Sequence, residues 1–325
     1  MQNRKMGLFI AIGSCVLSFI LIVVLMFVFI VNIGKSSSYS SISSSTIGDR
    51  VDVLKIEGVI GESDDNLFST SSYNHTFIID SLNTLIDDTS SKGLILFIDS
   101  PGGSVYHTDE IYLKLLEYKN TGRPIYASFG STAASGGYYI ACAADKIICN
   151  RNTITGSIGV IMQNVMDMSG LYEKLGIKVE TITAGKNKAM GNGTQPLTDE
   201  QREILQSMLD ETHNQFIEVV ATGRHLSFEE ASKLADGRIY TAKQALANGL
   251  VDEIGNFDDT LSIIGETENL AGLPLNYLTP STPSFFDSLL LKVSKLTPKS
   301  ELSTLLQFEE GISKFGYYCD LPFKY

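Results

Sequence analysis

The segment Gly93-Leu94-Ile95-Leu96-Phe97-Ile98 is apolar along its whole length. A strand with one face in water alternates apolar and polar side chains, whereas an unbroken apolar run is typical of a strand buried on both faces. Burying both faces of a sheet requires a layer of helices on each side of it. This one segment therefore restricts the chain to folds in which a largely parallel sheet lies between helices.

Strand-like and helix-like segments alternate along the chain around this strand. Further strands are predicted at 51–56, 124–128, 146–149 and 178–182. Helices are predicted at 77–88, 105–118, 167–175, 199–222, 227–234 and 242–248. Such alternation predicts a single α/β domain, which we place at residues 49–270. Beyond it, helix-like segments at 284–296 and 301–315 predict a C-terminal helical extension with a tail, residues 271–325.

From Gly7 to Val31 the chain is apolar and uncharged. Because this length exceeds the roughly 20 residues that cross a bilayer as a helix, residues 7–31 are predicted to be a transmembrane anchor. Arg4 and Lys5 precede the anchor, so the positive-inside rule predicts a cytoplasmic N-terminus, residues 1–6, and an extracytoplasmic domain at the cell membrane. The serine-rich stretch 32–48 is predicted to be a flexible linker.

Composition argues against two classes of function. The net charge of -12 argues against a nucleic-acid partner, because phosphate binding depends on clustered Lys and Arg. The 4 cysteines show no Cys-x-x-Cys spacing and no neighbouring histidine, so neither a zinc site nor a redox motif is indicated. We therefore expect an acidic domain whose chemistry requires no metal and no cofactor.

Ser135 lies in the small-residue run Ser131-Thr132-Ala133-Ala134-Ser135-Gly136-Gly137, and no histidine occurs between His107 and His213. Small neighbours allow a peptide to approach the hydroxyl closely, and the following glycines leave amide groups free to face developing negative charge. The pattern is typical of a serine nucleophile whose base is not histidine. The alternative is that the small residues serve only to pack a helix against a sheet.

Two further segments fit such a nucleophile. Pro101-Gly102-Gly103 follows the buried strand at its carboxyl end, where ligands bind in open α/β sheets, and its amides are suited to an oxyanion hole. Lys186 and Lys188 lie in a loop of small residues, and lysine is a general base when burial lowers its pKa. The alternatives are an ordinary turn and solvated surface lysines. His107 is another candidate base, but it has no partner motif, and a surface position is the alternative.

These segments belong to an ordered set of motifs: Asp99-Ser100-Pro101-Gly102-Gly103, Ala134-Ser135-Gly136-Gly137-Tyr138-Tyr139, Thr155-Gly156-Ser157-Ile158-Gly159-Val160, the lysine loop, and Asp236-Gly237-Arg238-Ile239-Tyr240-Thr241. The set resembles the signal peptide peptidases of the SppA type, a family of serine proteases, from roughly Val51 to Ile264. The resemblance implies a fold of the ClpP and crotonase type, a spiral of ββα units in a sheet with flanking helices. Asp99 departs from the family pattern, because many members carry asparagine there.

The resemblance also implies a role for each residue of the site: Ser135 as nucleophile, Lys188 as general base, Gly103 and Gly136 as the oxyanion-hole amides, and Ser157 as the hydrogen-bond partner of the lysine amine. Lys188 is preferred to Lys186 because the family's base is the third residue after a glycine, as Lys188 is after Gly185. Asp99 and Ser100 have scaffold roles in the family.

The function implied by the resemblance is that of a membrane-anchored serine endopeptidase with a Ser/Lys dyad, acting on hydrophobic peptides such as remnant signal peptides. Longer members of the family hold two units in one chain, with the serine and the lysine on different units. A chain with one unit is therefore expected to form a homo-oligomeric ring in which Lys188 of one protomer is near Ser135 of the next. Two alternatives remain: an acyl-CoA enzyme of the crotonase type, and an inactive membrane scaffold with the same fold.

Overall fold

The computed structural model of the protein describes residues 48–61, 73–162 and 165–280, together with the backbone of 315–318. The predicted anchor at 7–31, nearly all of the predicted linker and the predicted helix at 284–296 lie outside the described residues. So does the predicted helix at 301–315 except for its last residue, Phe315, which begins a strand. Within the described part of the chain, no helix combines the length and the apolar character that crossing a bilayer requires.

The described residues form eleven strands: β1 Arg50–Glu57, β2 Ser91–Ser100, β3 Gly102–Ser104, β4 Ile125–Ala134, β5 Lys146–Cys149, β6 Ile154–Gly156, β7 Ile161–Met162, β8 Ile239–Thr241, β9 Glu253–Ile254, β10 Leu275–Tyr277 and β11 Phe315–Tyr318. They also form eight helices: α1 His75–Asp87, α2 Val105–Lys119, α3 Gly136–Ala141, α4 Ser169–Lys174, α5 Asp199–Gly223, α6 Phe228–Leu234, α7 Ala242–Ala247 and α8 Phe257–Thr267. The mixture of helices with a central sheet is the α/β architecture that the sequence predicts.

Eight strands form the central sheet in the order β10-β1-β2-β4-β5-β9, with β6 paired to β4 and β8 paired to β6. Every pairing in this sheet is parallel except that of β6 with β8. Parallel neighbours need a crossover connection, which the helices supply. The carboxyl ends of β2 and β4 therefore meet at one edge of the sheet, and the nucleophile candidate follows β4 there.

The sheet is covered on both faces. Leu96 of β2 packs into the main hydrophobic core with Ile78 and Leu82 of α1. Ile95, its neighbour in sequence, packs on the opposite face with Ile264 of α8. None of these five side chains is more than 2% exposed. Since burying a large aliphatic side chain contributes about 1.5–3 kcal/mol, both helix layers stabilise β2, and the prediction of a doubly covered strand is confirmed.

One predicted strand is wrong. Residues 178–182 belong to no strand, and Ile182 is 90% exposed. A strand needs a neighbour to pair its backbone groups, and no described strand pairs with this segment. By contrast, the six helices predicted between 77 and 248 are all present, to within two residues at each end. Helices α3 and α8 and most of the short strands were not predicted.

The segment from 165 to 215, which we call the arm, contains no buried residue. It comprises α4, the loop that follows and roughly the first two thirds of α5, whose buried residues begin only at Phe216. Large apolar side chains are exposed along it: Met166 and Leu175 are each 63% exposed, and Ile182 is 90% exposed. The hydrophobic core of the described chain therefore contributes little to holding the arm in place.

Candidate active site

Ser135 occupies the sharp turn between β4 and α3. Its φ of 53° and ψ of -119° form a combination that residues other than glycine rarely adopt. Two backbone hydrogen bonds hold the turn: the Ser135 N–H donates to Gly156 O at 2.7 Å, and the Tyr139 N–H donates to Ser135 O at 2.9 Å. Because strained backbone of this kind clusters at functional sites, the geometry marks Ser135 as a candidate functional residue.

The Ser135 hydroxyl is fully buried and has no hydrogen-bond partner among the described residues. Most buried polar atoms in folded proteins are paired, so an unpaired hydroxyl needs a specific explanation. The absence of a partner is explained if Ser135 is a nucleophile whose base or substrate comes from outside these residues. The hydroxyl is thus available for a partner that these residues of the single chain do not supply.

Gly103 and Gly136 lie against each other beside Ser135. On one edge of β3, the Ile60 N–H donates to Gly102 O at 2.9 Å. Successive residues of a strand direct their backbone groups to opposite edges, so the Gly103 N–H faces away from Ile60. A Cβ atom on Gly136 would lie 3.2 Å from the Gly103 N atom. The structure therefore brings the two predicted oxyanion residues together next to the predicted nucleophile.

Two polar side chains brace the Pro-Gly-Gly turn. Ser100 Oγ accepts a hydrogen bond from the Gly102 N–H at 3.1 Å. Asp99 Oδ1 accepts hydrogen bonds from Ser131 Oγ at 2.8 Å and from the Thr132 N–H at 2.9 Å, which ties the turn to the strand that leads to the nucleophile. Asparagine has an equivalent oxygen. The departure from the family pattern at Asp99 therefore preserves this bracing.

Helix α3, which follows the nucleophile, is buried and neutral. Tyr138 Oη donates to Leu250 O at 2.8 Å. Burial raises the pKa of Tyr138 well above its ordinary value and raises the pKa of Cys142 to about 12. Both groups therefore retain their protons near neutral pH and are unsuited to act as the general base.

A second sheet, of three strands, lies beside α3. Its middle strand is β11, antiparallel to β3 on one side and to β7 on the other. In this pairing Tyr317 of β11 is opposite Gly103 of β3. The space between β3 and β7, which we call the groove, thus accommodates an extended backbone next to the predicted oxyanion amides.

Lys188 lies apart from these residues. Its side chain is exposed on the arm and has no hydrogen bond or ion pair with the described part of the chain. Lys186, two residues earlier, forms an ion pair with Glu200 and so is already engaged. Since Ser135 Oγ has no partner either, Lys188 does not reach it within one chain.

Ser157 lies close to the nucleophile. The residue before it, Gly156, accepts the hydrogen bond from the Ser135 N–H, and the Ser157 N–H donates to Arg238 O at 2.8 Å. Ser157 itself is 6% exposed and has a φ of 52°. The supporting role of Gly156 was not predicted, although its φ of 84° makes glycine the favoured residue there. Four of the five predicted site residues are thus together, and Lys188 is the exception.

His107 is not placed to act as the base. Its Nδ1 is 2.9 Å from Ser104 Oγ, and its ring packs edge-on against His75 with 4.4 Å between centroids. His75 in turn is 2.8 Å from a Glu110 carboxylate oxygen. Because the Ser135 hydroxyl has no partner among the described residues, neither imidazole bonds to it.

Comparison with known proteins adds to this geometry. Residues 117–271 match the model of Peptidase family S49. The chain is 38% identical over 236 residues to a "Putative signal peptide peptidase SppA" of Enterococcus faecium, covering 72% of this chain and 68% of that protein. It is 34% identical to "Protease 4" of Haemophilus influenzae, covering 66% of this chain and 34% of that protein. It is 30% identical to "Serine protease SPPA, chloroplastic" of Arabidopsis thaliana, covering 73% of this chain and 36% of that one.

Proposed function

The chain belongs to peptidase family S49 and is by class a serine peptidase, and from this premise we propose that it is a membrane-anchored endopeptidase with a Ser135/Lys188 dyad. We propose hydrophobic peptides, such as remnant signal peptides, as its substrates. The observation that carries the proposal is the buried, unpaired Ser135 hydroxyl in a strained turn, with Gly103 and Gly136 beside it.

The proposed reaction uses these residues as follows. Ser135 Oγ attacks the scissile carbonyl carbon while the neutral Lys188 amine accepts the hydroxyl proton. The amides of Gly103 and Gly136 donate to the oxyanion of the tetrahedral intermediate, and removing one such donor typically costs about 2.7–4 kcal/mol. The lysine ammonium then protonates the leaving amine, and water hydrolyses the acyl-enzyme by the reverse sequence. Ser157 accepts a hydrogen bond from the lysine and keeps its lone pair directed at Ser135.

The groove supports a peptide as the substrate. The pairing of β11 with β3 and β7 is the same backbone arrangement that an extended substrate would make by adding a strand. A substrate residue opposite Gly103 would present its carbonyl to the predicted oxyanion amide. Main-chain pairing contributes affinity without sequence preference, which suits an enzyme that degrades varied hydrophobic peptides.

The exposed position of Lys188 supports assembly from several copies. We propose a homo-oligomeric ring in which the arm of one protomer places Lys188 beside Ser135 of its neighbour. The exposed apolar side chains of the arm favour burial against a second copy, because large apolar surfaces are uncommon on monomers.

The anchor, the linker and the finer features of the fold belong to the same proposal. The uncharged stretch 7–31 is long enough to cross a bilayer and would hold the peptidase domain, 49–270, on the extracytoplasmic side. The finer architecture that we propose is the ClpP and crotonase spiral of ββα units. Retention of the chain in the membrane pellet after an alkaline carbonate wash, and its release on deletion of residues 1–31, would test the anchor.

The test of the mechanism uses three variants and a fluorogenic hydrophobic peptide. Ser135→Ala and Lys188→Ala should each reduce hydrolysis to background, whereas Lys186→Ala, the matched control in the same loop, should retain most of it. Mixing Ser135→Ala with Lys188→Ala protomers should restore activity at about a quarter of the sites in a randomly exchanged ring. Equal hydrolysis by the wild type and Ser135→Ala would refute the peptidase proposal and favour an inactive scaffold.

A further inference from the structure

Thr108 carries a second buried hydroxyl without a partner at this site. It lies in the first turn of α2 and is fully buried, and its Oγ1 has no hydrogen-bond partner among the described residues. A threonine within a helix commonly bonds a carbonyl of the preceding turn, but this hydroxyl makes no such bond. Buried hydroxyls are rarely left unpaired, so the position calls for a partner that binds there.

The Thr108 hydroxyl lies beside Gly136, where Gly136 meets Gly103. A Cβ atom on Gly136 would lie 2.7 Å from Thr108 Oγ1 and 3.2 Å from the Gly103 N atom. Thr108 Oγ1 and the Gly103 N atom therefore lie on the same side of Gly136, the residue that directly follows Ser135, whose hydroxyl is also unpaired. An unpaired buried hydroxyl and the amide nitrogen of one predicted oxyanion residue thus lie close to the same point beside the nucleophile.

We propose that Thr108 is a further catalytic residue, whose Oγ1–H donates a hydrogen bond to the substrate carbonyl oxygen as that oxygen becomes an oxyanion. This inference rests on the proposed function, because it needs Ser135 to attack a carbonyl. The hydroxyl hydrogen rotates about the Cβ–Oγ1 bond, so it can turn toward the oxygen once the tetrahedral carbon has formed. No bond is made or broken at Thr108 itself.

The role predicts a particular kinetic effect. A donor that is unpaired in the free enzyme and gains its partner only in the transition state affects kcat and leaves KM almost unchanged. A packing role predicts no change in either constant for Thr108→Val, because valine fills the same volume as threonine and removes only an unpaired hydroxyl. Substituting the hydroxyl while keeping the shape therefore separates the two.

The experiment compares Thr108→Val with Thr108→Ser in the full chain, using the fluorogenic hydrophobic peptide. Thr108→Val should lower kcat by about 10- to 100-fold, with KM within about twofold of the wild type. Thr108→Ser, which keeps the hydroxyl, should retain kcat within about threefold. Ser81→Ala is the matched control, because Ser81 Oγ is also buried without a partner but lies on α1, outside the site, and its removal should leave kcat unchanged.

A peptide aldehyde gives a second readout. Ser135 Oγ adds to the aldehyde carbon, and the resulting hemiacetal oxygen occupies the position of the oxyanion. The inhibition constant of the aldehyde should rise in Thr108→Val by the same factor as kcat falls, whereas the binding constant of the corresponding peptide amide should not change. Should Thr108→Val fail to fold, the comparison of Thr108→Ala with Thr108→Ser applies, with loss expected only in the alanine variant.

Two results overturn the inference: an unchanged kcat in Thr108→Val, or an equal loss in Thr108→Val and Thr108→Ser. Ser135→Ala, measured in parallel, separates these results from a failure of the proposed function. If Ser135→Ala is inactive while Thr108→Val matches the wild type, the peptidase stands and only the role of Thr108 is refuted. If Ser135→Ala hydrolyses the peptide as fast as the wild type, the proposed function fails, and the inference fails with it.

Discussion

Replacing Gly103 with alanine should disrupt both the pairing of β3 and the proposed oxyanion hole. A Cβ atom on Gly103 would lie 1.8 Å from Ile60 O and 2.7 Å from Ile60 N. These are backbone atoms, which cannot rotate aside as a side chain would. The segment around Ile60 must therefore separate from β3, breaking the hydrogen bonds from the Ile60 N–H to Gly102 O and from the Ser104 N–H to Ile60 O.

The magnitude follows from these contacts. Two backbone hydrogen bonds contribute about 1 kcal/mol each, and loosening the fully buried Ile60 side chain adds to this, so the free energy of unfolding should fall by about 2–4 kcal/mol. For a domain of this size such a loss lowers the Tm by roughly 4–16 °C. Because the Gly103 amide moves with its strand, kcat should also fall by about 100-fold or more.

The assay is urea unfolding combined with peptide hydrolysis on the same preparation. Gly170→Ala is the control, because a Cβ on Gly170 of α4 meets no atom within 4 Å and its φ needs no glycine. That variant should change the free energy of unfolding by less than about 1 kcal/mol, in the stabilising direction expected in a helix. An unfolding free energy for Gly103→Ala within about 0.5 kcal/mol of the wild type would refute the contact with Ile60. A destabilised variant with a normal kcat would show that the Gly103 amide does not stabilise the oxyanion.

Three further predictions concern other parts of the molecule. Asp88 accepts a hydrogen bond from Arg50, which lowers the pKa of its carboxyl group, so this contact stabilises the fold fully above the unfolded pKa of about 4 and less at lower pH. In urea titrations, the free energy of unfolding of Asp88→Asn should therefore be about 1–2 kcal/mol below that of the wild type at pH 7, and the difference should vanish by about pH 2. Burial raises the pKa of Cys142 to about 12 and that of Cys149 to about 11, so iodoacetamide should label neither until urea unfolds the chain, which mass spectrometry would show. Deleting the chain from Phe315 onward should vacate the groove and raise the rate of peptide hydrolysis; an unchanged rate would mean that β11 does not occupy the groove in solution.

Local sequence was sufficient for much of the fold and of the site. The unbroken apolar run in β2 and the six helices predicted between 77 and 248 depend on neighbouring residues, and both predictions are confirmed. The small-residue run around Ser135 is likewise local, and it pointed to the residue that occupies the strained turn. The residues that brace the site are also close to motifs, as Gly156 is to Ser157. Such features can be predicted because backbone strain and two-sided burial each require particular residue types within a few positions in the sequence.

Features that depend on distant pairing could not be predicted in this way. The register that places Tyr317 opposite Gly103 joins residues more than 200 positions apart, and β11 carries no local pattern that selects β3 as its partner. The segment 178–182 shows the converse error, because its strand-like composition has no neighbouring strand to pair with. The position of Lys188 is a third case, because the local sequence of the lysine loop does not show whether that loop packs against the turn at Ser135 in the same chain.

The absence of buried residues in the arm has a consequence for regulation. In the ring proposed above, Lys188 lies on a segment that its own core barely supports and becomes productive only when copies meet, so the rate per molecule should rise with the density of the protein. At low density the total rate would then grow as the square, or a higher power, of the amount of protein. At low protein density, hydrolysis would then stay slow until enough copies had accumulated to form rings.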